Sequence, residues 1–460
     1  MYSPSFADMA DDVGFTSHYN TPSAIRSATH IDNFDGVFAR SCSSTAEVPV
    51  LRRTMCRVVS EHHLQSVASV ASIASTIEQS RCGSTVSRSD SIDSWSRVSD
   101  LPVARQLQRH AKVAGRPGPL ERERPAGAVL TEWPAVDDDA FASSKKHLLT
   151  FDLDPTTLPS DVLCHLAMEM FLSAGLPEGV GEESVRRFIL AVRASMLDNP
   201  YHNFYHAFDV MQTTNALATS TGTMARLDAW ERFALLSAAL CHDMEHPGAS
   251  SGFLSQVGDS TLALRALGVM ADRDIGILEG LSAAQYYHFR SCVSRIILAT
   301  DLSRHSEYLE HLQEFAARRA EDPAVEMDMD KQLAMELMVK CADISNVVKP
   351  AAVARRWALR VTDEFFVQGD AERALGMDVT PACNRFTASR VALQIGFIDH
   401  LAEPLFTLLA AAFPPVRNGP GESAPPRPPR EGLDIPLAQL RCNRASYTLC
   451  TDLDLEMARN

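Results

Sequence analysis

The stretch "ALCHDMEHPG", residues 239–248, ends an apolar run on His242, Asp243 and His246 and closes with a Pro-Gly pair. The residues ahead of it read as a helix, and Pro-Gly is where such a helix stops. Two imidazoles and a carboxylate gathered there must find hydrogen-bond or metal partners once they leave water. A helical core whose helix ends converge on one polar cavity would satisfy them.

The helical pattern extends outward on both sides. "SDVLCHLAMEMFLSAG" (160–175) offers Ser160 as a cap and Val162, Leu163, Leu166 and Met170 as an apolar stripe. "ESVRRFILAVRASML" (183–197) repeats the spacing with Val185, Phe188, Ile189, Val192 and Met196. No convincing alternating strand interrupts the series from about Leu148 to Phe413, so the expected fold class is all-α.

The flanks differ. Residues 1–140 are rich in Ser, Arg and Asp and have few contiguous apolar residues, a composition that buries too little surface to offset chain entropy, and they are expected to be mostly disordered. Within them "EHHLQSVASVASIASTIEQ" (61–79) spaces Leu64, Val67, Val70, Ile73 and Ile77 as a short helix. Residues 414–460 open on "PPVRNGPGESAPPRPPREG" and are expected to form a flexible Pro-rich tail. The organisation predicted is therefore a leader region 1–140, a helical domain 148–413 and a tail 414–460, with protein partners through either flank left open.

Charge and cysteine usage narrow the function. Lys+Arg 43 against Asp+Glu 58 gives a net charge of −15, which argues against general nucleic-acid binding. An anionic small substrate would need a local positive centre, and a metal ion supplies one. The ten cysteines contain no Cys-x-x-Cys pair, which disfavours zinc fingers and a disulfide scaffold and fits reduced thiols in an intracellular, cytoplasmic setting. The first residues lack a basic-then-apolar leader and no apolar run approaches a membrane span, so a soluble chain is expected.

Four segments carry metal-capable residues near helix ends: "YHNFYHAFDV" (201–210), "CHDMEHPG" (241–248), "LATDLSRH" (298–305) and "KCADISN" (340–346). His202 and His206 share a face if that segment is helical, although such a pair also arises by chance. Asp343 follows the stripe Leu333, Leu337 and Cys341 and would be a costly buried carboxylate without a cation. Imidazoles and carboxylates together match zinc or a similar divalent ion, and paired carboxylates invite a second, harder ion such as magnesium.

With these motifs and with "EFFVQGD" (364–370) and "LQIGFIDHLAEPLF" (393–406), the region 148–413 resembles the catalytic domain of class I cyclic nucleotide phosphodiesterases, most closely the cAMP-preferring members. The resemblance implies a first metal site, zinc, on His206, His242, Asp243 and Asp343, with Asp243 reaching a second ion, magnesium or manganese. It implies that His246, Glu279 and Thr300 hold waters on the second ion, and that His202 donates a proton to the leaving oxygen with Glu364 holding it in place. Tyr201 would support the site, Gln394 would bond the base, Phe397 and Val361 would clamp its faces, and Asn346 would sit at its edge.

The expected reaction is hydrolysis of a 3′,5′-cyclic nucleotide, cAMP ahead of cGMP, to the 5′-monophosphate, in cyclic nucleotide signalling. Homodimerisation stays open. One departure stands out: where the family has "LENHH", this chain has "LEGLSAA" (278–284), and the segment leading on to "ILATD" is shorter than usual. A weakened cyclic-nucleotide-binding or scaffold protein and another nucleotide phosphohydrolase are the competing readings.

Overall fold

The computed structural model describes residues 132–249, 262–321, 329–413 and 433–452 of the 460. The expected helix at 61–79 lies outside the described residues. Every regular element among the described residues is helical, as the apolar spacing predicts.

Four helices build the centre: α1 (Phe204–Ser220), α2 (Ala229–Cys241), α3 (Ala283–Ala299) and α4 (Lys331–Asp343). Helix α1 packs on α2 and α4, and α3 packs on the same two. Helix α1 is buried on nearly all sides, from Phe204 and Phe208 to Val210, Met211 and Leu217, and its polar residues Asp209, Gln212 and Thr213 are buried with them around the Lys349 ammonium. Each of these four starts where the chain supplies a cap. The Asn203 side chain accepts from the backbone N–H of Tyr205 and His206, Asp228 and Glu231 form a capping box for α2, and Ser282 and Gln285 do so for α3.

The remaining helices enclose this centre. Ser160–Ala174 packs on α1, Glu182–Ser195 packs beside it, and the long helix α5 (Ala351–Ala374) follows a 3-10 turn at Ser345–Val348. Helix α6 (Arg390–Phe397) continues through a π-helical turn at Ile398–Ala402 into α7 (Glu403–Ala412). This Arg390–Ala412 rod of 23 residues is long and apolar enough to cross a membrane by length and composition, contrary to the expectation that no run approaches one. Leu405, Phe406 and Leu409 of α7 are buried in the core of this domain, against the helix His305–Glu321.

Both expected domain limits move outward. At the front, Trp133 lies 4.9 Å from the His165 ring, His165 Nε2 bonds Pro134 O at 2.8 Å, and Asp137 caps a helix at Asp138–Lys145, so 132–147 is part of the packed body. At the back, Asp434–Thr448 forms a helix, α8, that buries Leu437, Leu440, Asn443 and Tyr447, where a flexible tail is expected. The Pro-rich run ends before α8, and Leu433, Leu437, Leu440 and Tyr447 recur at helical spacing, enough to dock one face.

Candidate active site

The site gathers where α1 begins and where α2 and α4 end. His206 stands in the first turn of α1, His242 and Asp243 directly follow α2, and Asp343 is the last residue of α4. Their ligand atoms all lie within 4.8 Å of one another. His206 Nε2 is 3.2 Å from Asp343 Oδ1 and 3.5 Å from Asp243 Oδ2. His242 Nε2 is 3.1 Å from Asp243 Oδ2 and 3.3 Å from Asp343 Oδ1.

This donor set fits a divalent cation, and His242 is the test. Its Nδ1 lies 2.9 Å from Ala239 O, an acceptor, so Nδ1 carries a proton and the neutral ring leaves a lone pair on Nε2. That Nε2 is buried, has no hydrogen-bond partner and faces carboxylate oxygens, which also offer only lone pairs. A cation, metal or proton, must stand between them. The protonation energetics agree. Burial opposes charge on His242, yet Asp243 and Asp343 hold its affinity for a proton well above the ordinary value. Burial pushes both aspartates up, and the adjacent imidazoles outweigh it and keep both carboxylates well below the usual range.

The turn between the metal-capable residues is held under strain. Glu245 adopts φ 59°, the left-handed region that non-glycine residues rarely occupy. Arg265, itself buried, donates to Glu245 O at 3.1 Å and pairs with its carboxylate at 3.5 Å, which offsets that strain.

His202 sits beside the cluster with a separate partner. Its Nδ1 bonds Glu364 of α5, while its Nε2 points to the cluster, 3.7 Å from Asp243 Oδ2. The second Glu364 oxygen accepts from the backbone N–H of Tyr201 at 2.9 Å and of His202 at 3.0 Å, so this carboxylate fixes both ring and backbone. Burial disfavours the charged ring, but Glu364 and then Asp243 outweigh it and raise the His202 pKa to about 9. Burial pushes the Glu364 carboxyl up, and the His202 charge reverses this and lowers it to about 2.

His246 stacks on His202 with ring centroids 3.9 Å apart and planes 35° from parallel. Burial, then the His202 charge, lowers the His246 pKa to about 4. His202, His246 and Glu364 are close enough to be read as a metal site. The stacked rings argue otherwise, because imidazole lone pairs lie in the ring planes and do not converge well on one ion from near-parallel planes.

Sequence reasoning missed Asn199. This buried side chain donates through Nδ2 to His202 O at 2.9 Å and to His246 O at 2.7 Å, joining the two histidine-bearing segments. Gly248, at φ +70°, makes room for it: a Cβ there would stand 2.8 Å from Asn199 Oδ1. Lys340 was missed as well. It is buried in α4 and donates to Ala299 O at 2.9 Å and Asp301 O at 3.2 Å, fixing the backbone on either side of Thr300, whose hydroxyl donates to Ile297 O.

The remaining predicted residues fall into two groups. Tyr201 is buried with its ring centroid 4.4 Å from that of His206 and 5.5 Å from that of Trp357, and Val361 packs on the same small apolar cluster. Gln394 and Asn346 are buried, and each keeps a carbonyl oxygen without a partner, an unmet acceptor of the kind a ligand can fill. Phe397 is half-buried at the end of α6. Glu279 is not among the residues whose ligand atoms cluster. It is exposed, and its carboxyl folds back over Gly276, where an added Cβ would lie 3.4 Å from Glu279 Cδ. The cause lies in the "LEGLSAA" departure: Gly280 takes φ +87° and the Ser282 capping box starts α3 immediately, leaving Glu279 on a turn.

Residues 201–419 match the model of the 3′5′-cyclic nucleotide phosphodiesterase family. That match covers 219 of the 460 residues. The chain is similar to the 3′,5′-cyclic-nucleotide phosphodiesterase regA of Dictyostelium discoideum, 34% identical over 283 residues, 58% of this chain and 35% of that protein. It is also similar to a 3′,5′-cyclic-AMP phosphodiesterase of Drosophila melanogaster, isoform F, 32% identical over 266 residues, 52% of this chain and 40% of that protein. The matched part thus spans 35% and 40% of these relatives' lengths. The solved structure of LmjPDEB1 in complex with IBMX superposes with a TM-score of 0.57 at 26% identity, covering 69% of this chain and 98% of that one. The phosphodiesterase family is metal-dependent, in keeping with the donor set around His242.

Proposed function

We propose that the chain hydrolyses a 3′,5′-cyclic nucleotide, with cAMP favoured, to the nucleoside 5′-monophosphate. The observation that carries this reading is the His206, His242, Asp243 and Asp343 cluster set beside the His202–Glu364 pair within the region that matches this family's model. The cyclic-AMP enzymes among the relatives support the preference for adenine.

His206, His242, Asp243 and Asp343 would hold a first ion, zinc by its liking for mixed nitrogen and oxygen ligands, and Asp243 would share a second, magnesium or manganese. When bound, such ions offset the phosphodiester charge and lower the pKa of water. Hydrolysis adds water across the P–O3′ bond, and the departing ribose oxygen needs a proton. His202 holds one at neutral pH, because its pKa is raised to about 9, and Glu364 fixes the ring so that Nε2 faces the cluster. The unpartnered oxygens of Gln394 and Asn346 suit the base, and the Gln394 amide can offer donor or acceptor to adenine or guanine.

The exposed Glu279 favours a second reading, a cyclic-nucleotide-binding protein with weakened catalysis. Release of 5′-AMP and 5′-GMP from cAMP and cGMP by the full chain, with magnesium and with or without chelator, separates the two. Chelator-sensitive turnover supports the hydrolase; binding without turnover supports the sensor and overturns it.

A further inference from the structure

Helix α8 lies beyond the family match, yet it reaches both segments assigned to the base. Asn443, 2% exposed, donates through Nδ2 to Val347 O and to Lys349 O, each at 2.8 Å, and its own oxygen accepts from Gln439 at 3.0 Å. Those two carbonyls belong to and directly follow the 3-10 turn Ser345–Val348 that carries Asn346. A 3-10 turn leaves such carbonyls without good internal partners, so Asn443 supplies what the turn lacks. From the other side, the Lys349 ammonium is buried against Asp209 at 2.9 Å and Thr213 at 2.7 Å, both on α1.

The same segment grips the rod that carries Gln394 and Phe397. Arg444 forms two bonds of 2.9 Å to Asp399, Arg441 bonds Glu403 at 3.0 Å, and Asp452 accepts from Val391 N at 2.8 Å and from Ser389 Oγ at 3.0 Å at the start of α6. Arg355 of α5 donates to Ser446 at 2.9 Å. The metal-capable residues are anchored differently: Asp343 ends α4, and α4 is tied to residues 299–301 through Lys340.

We propose that residues 433–452 are a positioning device for the nucleotide pocket, in which Asn443 sets the turn bearing Asn346 while Arg444 and Asp452 set the helix bearing Gln394 and Phe397. This rests on the phosphodiesterase reading for what the pocket holds. The segment therefore governs KM and the choice between adenine and guanine, while leaving the metal cluster and the proton donor in place.

Kinetics and amide hydrogen exchange on the full chain test it. Asn443→Ala is expected to raise KM for the preferred cyclic nucleotide about tenfold and to change the cAMP to cGMP ratio of kcat/KM at least about threefold, with kcat and bound metal within about twofold. Arg444→Ala, a partly exposed site that spares the buried interface, is expected to move KM and the ratio the same way by about threefold. An unchanged KM and ratio in both variants would overturn the proposal. So would a parallel fall of kcat, metal content and melting temperature, which marks general loss of stability. Hydrogen exchange is independent of turnover: faster exchange confined to 345–349 and 390–397 supports the proposal, and unchanged or evenly spread exchange defeats it. A wild-type chain that hydrolyses neither nucleotide sinks the functional reading alone, and the exchange result still decides the positioning one.

Discussion

The wall formed by His242, Asp243 and Asp343 and the wall near Glu279 were both expected to carry metal-site carboxylates, and they are built on different foundations. Asp343 closes a helix whose buried face runs through Ala334, Leu337, Met338 and Cys341, so core packing sets where its carboxylate stands. Glu279 precedes its helix, and the capping box at Ser282 holds α3 without reference to it. A helix end fixed by core packing transmits position to a functional side chain; a turn upstream of a cap does not.

Removing the best-founded ligand should have the largest effect. Asp343→Ala leaves His206 and His242 facing one carboxylate fewer, and loss of a metal's charge stabilisation is worth several kcal/mol. We expect kcat/KM to fall by about 10⁴-fold together with bound metal. Atomic absorption on the purified variant checks this, and full metal content with normal turnover would dissolve the contrast between the two walls.

The cluster was legible in the sequence because histidine and aspartate at the ends of apolar helices are costly unless something binds them, so residue type itself carried the signal. Asn199, Lys340 and Asn443 were not legible, because each works by donating to backbone carbonyls brought close only by the fold. Nothing in the one-dimensional pattern separates such residues from solvated polar ones. Helix α8 did leave a trace in the spacing of Leu433, Leu437, Leu440 and Tyr447, masked by the prolines ahead of it. The exposed place of Glu279 was foreshadowed by Gly280 and Ser282, whose turn and cap chemistry decided where α3 could begin.

The acid beside the cluster sharpens the comparison at the next level. His202→Ala should lower kcat by about 10² to 10³-fold with metal content kept, since a positioned acid contributes that much. Its protonation is tied to Glu364. The ring's folded pKa of about 9 exceeds the ordinary 6.5, so the stabilisation it gives is complete below 6.5 and is lost as pH rises through about 9. Activity that needs the protonated ring should fall over the same alkaline range. Glu364→Gln removes the carboxylate and should shift that limb toward lower pH by about one unit or more at equal metal loading. A pH profile of kcat/KM for both proteins reads the difference, and coincident alkaline limbs would separate Glu364 from the acid.

Asn199→Ala should cost less. It strips one donor from His202 O and His246 O, two bonds of about 1 kcal/mol each, and should reduce kcat roughly tenfold with the metal retained. Steady-state kinetics alongside metal analysis would show it, and a drop in metal matching the drop in rate would place Asn199 among the supports of the cluster instead.

Glu279→Gln should cost least, and it puts the most pressure on the comparison. The resemblance to the family assigns this carboxylate to a water on the second ion, and loss of such an outer partner typically costs about 10- to 100-fold in affinity or activity. The side chain is exposed and lies over Gly276, and exposed substitutions that touch nothing else stay within about 0.5 kcal/mol. We therefore expect kcat/KM and the magnesium dependence of the rate to stay within about twofold of the parent. A loss of 10-fold or more, relieved by higher magnesium, would mean that substrate or metal draws the 276–282 turn inward. The second wall would then be assembled on binding, and the contrast with the Asp343 wall would be one of timing.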